Sequence, residues 1–221
     1  MTTRLSLAIG SLMTLACGLY SAYVWPMLPD RVPTHWNMQG HADAFGPKIT
    51  NVVLLPMIML VFVGLMIALP AISPEKFKID SFRGTFNYLM LLVLGLMGSI
   101  HVMILQATLH GTFNLERGFM VVFFLFWSLF GNVTGKIRRN FWMGVRTPWT
   151  LADERVWDQT HRSAARLWTI GGAFGVILSL ISIPAWALFT YLMVICLWPA
   201  AQSYLIYQRL NRSGLEAVNG K

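Results

Sequence analysis

Charge is what this chain has least of. Nine acidic and seventeen basic side chains in 221 residues make up 12% of a sequence that is 56% hydrophobic with a mean hydropathy of +0.57. A soluble globular domain carries about 25% charged residues, and the shortfall excludes that class. Cysteine is nearly absent as well. Cys17 and Cys196 both sit in apolar runs, where a thiol behaves as a small hydrophobe, and neither has metal-ligand spacing. There is no repeat of fixed period and no low-complexity stretch. Nor does any apolar run carry an acid near its centre, which argues against an ion-coupled transporter, because such proteins place a carboxylate at midplane.

Long apolar runs take the place of charge. A bilayer core of roughly 30 Å needs about 20 mostly apolar residues per helix. Six runs meet that length: 5–25, 52–72, 86–109, 118–135, 167–183 and 185–207. The last two meet at Ser182-Ile183-Pro184, where proline disfavours helix at the preceding residue. The first run follows Arg4 and contains small residues, as a signal peptide does. Its apolar and aromatic residues continue to Trp25, too far for a cleavable segment, so it reads as an uncleaved span.

The net charge of +8 and isoelectric point near 9.9 invite a nucleic-acid reading, but the positions of the cations argue otherwise. With the N-terminus inside, fourteen of the seventeen Lys and Arg residues face the cytoplasm, leaving Arg31, Lys48 and Arg117 outside. Such a bias sets topology. The expected fold is therefore all-α: a polytopic membrane bundle of six helices, both termini inside, without a nucleic-acid partner. Tyr20, Tyr23 and Trp25, Tyr88, and Tyr204 with Tyr207 fall where interfacial aromatic belts belong. Three parts are expected: residues 1–72 as a two-span unit, 73–207 as a four-span unit, and 208–221 as a cytoplasmic tail. Within the spans Asn87, His101, Gln106 and Asn132 most need partners, and interhelical hydrogen bonding is the usual role.

The loop 26–50 concentrates turn and ligand chemistry. Pro29 and Pro33 hold the chain extended, Gly40 and Gly46 permit turns, and Asp30, His35, His41 and Asp43 crowd together. An ordered loop follows from this. Its spacing matches no standard zinc site, so solvated turn formers, with Asp43 in a local turn, are the favoured reading and no metal is assigned.

Between Lys136 and Arg166 lie seven of the seventeen basic residues, together with Trp142, Trp149 and Trp157. Pro148 fixes the backbone, and Thr150 with Asp153 three residues on predicts a helix starting near Leu151 and running through Ala164-Ala165 into the fifth span. Its first part, with Arg155, Arg162 and Arg166 at helical spacing and Trp157 and His161 four apart, is expected to lie along the headgroups as a cytoplasmic interfacial helix. The three tryptophans are expected to anchor at the interface, and Lys136, Arg138 and Arg139 to meet lipid phosphate. Arg146, between Gly144 and Thr147-Pro148, has two open readings. It binds a carboxylate or phosphate of a partner, or it pairs with Asp153, Glu154 or Asp158.

Two resemblances follow from these residues. The loop pattern P-x-H-W-N-x-x-G-x-x-D with a later lysine, met by Pro33, His35, Trp36, Asn37, Gly40, Asp43 and Lys48, resembles a functionally uncharacterised N-terminal domain of bacterial membrane proteins. The central run resembles the SdpI-type immunity proteins through Gly131, Asn132, Lys136, Asn140, Gly144, Val145, Arg146, Thr147, Pro148, Trp149, Thr150, Leu151, Val156, Trp157, Thr160, His161 and Arg162. Gly135 departs from the proline expected before the lysine. The resemblance implies protection of the cell from a secreted, membrane-active peptide toxin, and in the best-known member retention of a transcriptional repressor at the membrane. It implies no catalytic residue and no cofactor. The central motif residues become candidates for contact with the soluble regulator, and the loop motif residues for the outer face. Two other classes stay open: a membrane-embedded enzyme using Asp30, His35, His41 and Asp43, and a small transporter.

Overall fold

A computed structural model of the chain describes residues 1–37, 42–110, 115–181 and 183–219. Six of its helices are long and apolar enough to cross a membrane: α1 (Thr3–Val24), α2 (Lys48–Ala71), α3 (Arg83–His110), α4 (Leu115–Thr134), α6 (Glu154–Leu180) and α7 (Ala185–Asn219). The protein is a mostly helical, multi-pass membrane protein. Side chains such as Leu12, Leu19, Leu60, Ile170 and Leu197 are more than half exposed, as helices facing hydrocarbon require.

The all-α expectation misses one element. The loop between α1 and α2 is a two-stranded antiparallel hairpin, β1 (Arg31–Trp36) and β2 (Ala42–Pro47), whose register runs from Arg31 opposite Pro47 to Trp36 opposite Ala42 and is irregular on both sides of His35. The loop is ordered, and by strand pairing. Val32 of β1 is fully buried, Asn51 donates to the Pro33 carbonyl at 2.7 Å, and Lys48 reaches Asp30 at 3.3 Å.

One packed core joins α1, α2 and α3 through Cys17, Met59, Met66, Phe86, Leu89 and Leu94, and continues into Ile137 and Trp157 of the central segment. A second centres on Phe124, Leu188, Leu192 and Ile195 between α4 and α7. Helices α4 and α6 come closest. A Cβ on Gly131 would collide with the Thr169 backbone, and one on Gly172 with the backbone of Ser128, so only glycine at these positions permits the approach. His101, Gln106 and Asn87 each have an interhelical partner. His101 Nε2 lies 2.7 Å from Ser21 Oγ, whose hydroxyl donates to the Val52 carbonyl at 3.0 Å, so Nε2 is the donor of that pair. Gln106 donates to Tyr20 at 2.6 Å, and Asn87 to Thr3 at 3.3 Å.

The start of α6 differs from the expected interfacial helix. A short helix α5 (Pro148–Ala152) precedes it, and α6 then runs without a break from Glu154 to Leu180. Its first turns bury Val156, Trp157, Thr160, His161 and Ala164, so this face packs on the bundle and not on headgroups.

Candidate functional site: the junction between α4 and α6

Thirteen residues connect α4 to α5, and their backbone hydrogen bonds must be met without regular structure. Asn140 does much of this. Fully buried, it donates to the carbonyls of Arg138 (2.8 Å) and Met143 (3.2 Å) and accepts from the amides of Trp142 (2.7 Å) and Met143 (2.9 Å). All four hydrogen-bonding positions of the amide are used. The turn then passes through Gly144 at φ 101°, the left-handed region open to glycine, where an added Cβ would collide with the His161 ring, nearest to Nε2.

His161 holds the turn to α6. Its Nε2 accepts the Val145 amide at 3.0 Å, while Nδ1 lies 2.8 Å from the Trp157 carbonyl and must donate to it. The imidazole is thereby fixed as the Nδ1–H tautomer. It stacks on Trp157 at 4.0 Å between ring centroids and 19° between planes, and the Trp157 indole donates to the Ile137 carbonyl at 2.8 Å. Trp157 is wholly buried, so the expected interfacial anchoring fails for it: a membrane-interface tryptophan has one wet edge, and this one spends its N–H on the turn. Thr160 is fully buried too, its Oγ1 without a hydrogen-bond partner among the described residues.

The R-T-P-W-T run forms the cap of α5. Thr147 and Thr150 make a reciprocal capping box, Thr147 Oγ1 accepting the Thr150 amide at 3.3 Å and Thr150 Oγ1 the Thr147 amide at 2.9 Å. Thr150 also donates to the Val145 carbonyl at 2.8 Å. The capping residue is thus Thr147, three residues earlier than expected, with Pro148 at the first helical position. Asp153 instead caps α6 through the Arg155 amide at 2.8 Å. Two contacts tie the run to α7: Thr147 Oγ1 to Ser203 Oγ at 2.9 Å, and the Trp149 ring 4.9 Å from Tyr204. On the other side Trp142 donates to Ser73 at 2.8 Å, and Phe141 packs on Phe77 at 4.1 Å between centroids.

Arg146 makes none of the expected ion pairs. Asp153 pairs with Arg155 at 2.8 Å, and that guanidinium holds the Asp153 carboxyl below its usual range. Arg146 donates to the Phe141 carbonyl and is exposed, as are Lys136, Arg138, Pro148, Glu154 and Arg162. Arg139 turns inward to the Leu151 carbonyl at 3.1 Å and over the Phe77 ring. The sequence motif therefore separates into a part that shapes the junction, with Asn140, Thr150, Trp157, Thr160 and His161 buried and Gly144 half-buried, and exposed residues that include Arg146, Pro148 and Arg162. Burial of Trp157 had a legible signal: Val156, Trp157, Thr160, His161, Ala164 and Trp168 recur on one helical face, with Arg155, Arg162 and Arg166 off it.

At the opposite end of the bundle, the loop motif is dispersed over the hairpin. Pro33, His35 and Trp36 lie on β1, Asn37 follows it, Asp43 is on β2 and Lys48 opens α2, whereas Gly40 and His41 lie outside the described residues. His35 Nδ1 and Asp43 Oδ1 are 2.5 Å apart and exposed. Among the described residues no group of three or more His, Cys, Asp or Glu is gathered as a metal site would need. Beside the hairpin is a largely apolar cavity of about 300 Å3, lined by His35, Trp36 and Asn37 and by Glu116, Phe119 and Phe189 of α4 and α7. Sequence reasoning passed over those α4 and α7 residues, because only the fold brings them under the hairpin.

Comparison with known proteins matches both regions. The profile of the SdpI/YfhL protein family matches residues 136–203, and that of a domain of unknown function, DUF1648, matches residues 12–60. Immunity protein SdpI of Bacillus subtilis (strain 168) is 26% identical over 197 residues, which covers 88% of this chain and 92% of that protein. No solved structure matches. Both the hairpin and the junction thus fall within matched segments: residues 136–203 match the SdpI/YfhL protein family and residues 12–60 match DUF1648.

Proposed function

We propose that this chain is an immunity protein of a bacterial cytoplasmic membrane, protecting the cell that makes it from a membrane-active peptide toxin. The observation that carries this reading is the similarity to a protein named for immunity along nearly the whole of both chains, spanning hairpin and junction alike. Both termini and the junction then face the cytoplasm, and the hairpin faces outward, in keeping with the excess of cations on the junction side.

The toxin contact is assigned to the cavity beside the hairpin. Apolar walls from Trp36, Phe119 and Phe189 suit an apolar peptide side chain, and Glu116 suits a cationic one beside it. The regulator contact, retention of a soluble repressor, is assigned to the exposed turn at Arg146 and Pro148. A planar guanidinium with a free face suits a carboxylate on the partner. The protein acts by binding and not by catalysis.

Expression in a toxin-sensitive bacterium tests the reading. Survival under a panel of secreted, membrane-active bacterial peptides should rise for at least one of them, and unchanged killing by all would refute it. For this turn, Arg146→Lys should insert and fold as wild type yet lose recruitment of the repressor to membranes.

A further inference from the structure

We infer that the groove between α6 and α7 at the junction end is a specific binding site for one anionic phospholipid with a hydroxyl-bearing headgroup. The inference rests on the membrane spans and the groove, and stands apart from the immunity reading.

Three guanidiniums, those of Arg162, Arg166 and Arg209, line a single cavity of about 540 Å3. Two of them are one helical turn apart on α6, and the third comes from α7 across the groove, with Arg209 donating to Gln159 at 2.9 Å. No carboxylate lines the cavity among the described residues. A phosphodiester placed against these arginines accepts charge-assisted hydrogen bonds from planar donors.

The remaining lining points to a lipid. Trp198 and Leu205 form the apolar side of the same cavity and are 51% and 54% exposed, so a molecule held by its phosphate at the arginines can lay an acyl chain against them. Arg166 directly precedes the uninterrupted apolar part of α6, which sets the arginines at headgroup depth. Gln202 also lines the cavity, and its Oε1 is buried with no hydrogen-bond partner among the described residues. A buried acceptor without a donor costs free energy, and a headgroup hydroxyl would supply that donor. A zwitterionic choline headgroup offers no such hydroxyl and brings a fourth cation.

The test uses the full chain purified in detergent. Phosphatidylglycerol, phosphatidylcholine, inorganic phosphate and glycerol phosphate are titrated separately, with binding read by native mass spectrometry and by thermal stability. Phosphatidylglycerol should bind and stabilise the protein and phosphatidylcholine should not, while the two soluble phosphates should have no effect at millimolar concentration. In Arg162→Gln/Arg166→Gln/Arg209→Gln, phosphatidylglycerol should bind about ten-fold more weakly or less, the loss of one or more charge-assisted hydrogen bonds. Arg4→Gln/Lys76→Gln/Arg212→Gln removes the same charge from the same end outside the cavity and should bind as wild type. Should the cavity triple not fold, Arg162→Gln and Arg209→Gln alone are read in its place. Equal weakening in both triples, equal binding of the two lipids, or equal effect of a soluble phosphate would each overturn the inference.

Discussion

His161 accepts the amide of Val145, sixteen residues earlier in the chain, at 3.0 Å, and this one bond fixes both the turn before α5 and the tautomer of the imidazole. The ring has Trp157 stacked against it and Gly144 so near that an added Cβ would collide with it, so the turn and the first turns of α6 form a single packed unit.

Gly144→Ala should be among the most damaging single substitutions. It imposes a positive φ on an L side chain, about 1–3 kcal/mol, and adds a clash with the His161 ring. Gly18→Ala, where an added Cβ meets nothing within 4 Å, is the control and should be neutral. Thermal unfolding of the two proteins in the same detergent checks this, and equal melting temperatures would remove the junction from the account of stability.

Trp157→Phe should keep most of the stack on His161 but leave the Ile137 carbonyl without its donor. A buried unsatisfied acceptor costs about 1–3 kcal/mol, so the loss should be clear, though smaller than for Trp157→Ala, which adds a cavity. An interfacial anchor would respond differently, with lipid-dependent fluorescence and little change in stability.

Asp153 makes a pH prediction. Its carboxyl lies below the ordinary value of 3.8, first because Arg155 hydrogen-bonds to it. A depressed carboxyl contributes stability that is present above the unfolded value and is lost as pH falls through the folded one. Wild type should therefore lose a small increment only below about pH 4, and Asp153→Asn, which keeps an N-cap oxygen, should lack that step. Stability measured from pH 3 to pH 7 shows it, and identical acid limbs would contradict the pairing.

Reporter fusions settle the orientation. A reporter joined after Lys48 should read outside and one after Arg139 inside, and the same side for both would overturn the arrangement.

The spans were legible because charge-poor runs of bilayer length can hardly be anything else, and five of the six helices begin within four residues of the apolar run. The sixth, α6, begins thirteen residues before its run, because its first turns bury one face against protein while carrying charges on the others. The hairpin was not legible. Its strands contain Pro33 and Pro47, its inward alternation is reduced to the single buried Val32, and proline and glycine at that density signal turns. Trp157 was misassigned for a related reason: tryptophan beside arginine suggests an interface, and only the positions of Ile137 and Gly144 in space show what covers it. The family resemblance picks out the motif residues, but it does not distinguish those that build the junction from those that face outward.

The claim that the hairpin end performs the protection, with the junction as the joint behind it, is tested by one measurement: survival of a toxin-sensitive strain expressing wild type, Trp36→Ala or Glu116→Gln, with membrane abundance of each protein determined in the same cells. The account predicts that both variants reach the membrane at wild-type abundance and lose protection. Full protection by both variants at that abundance would contradict it.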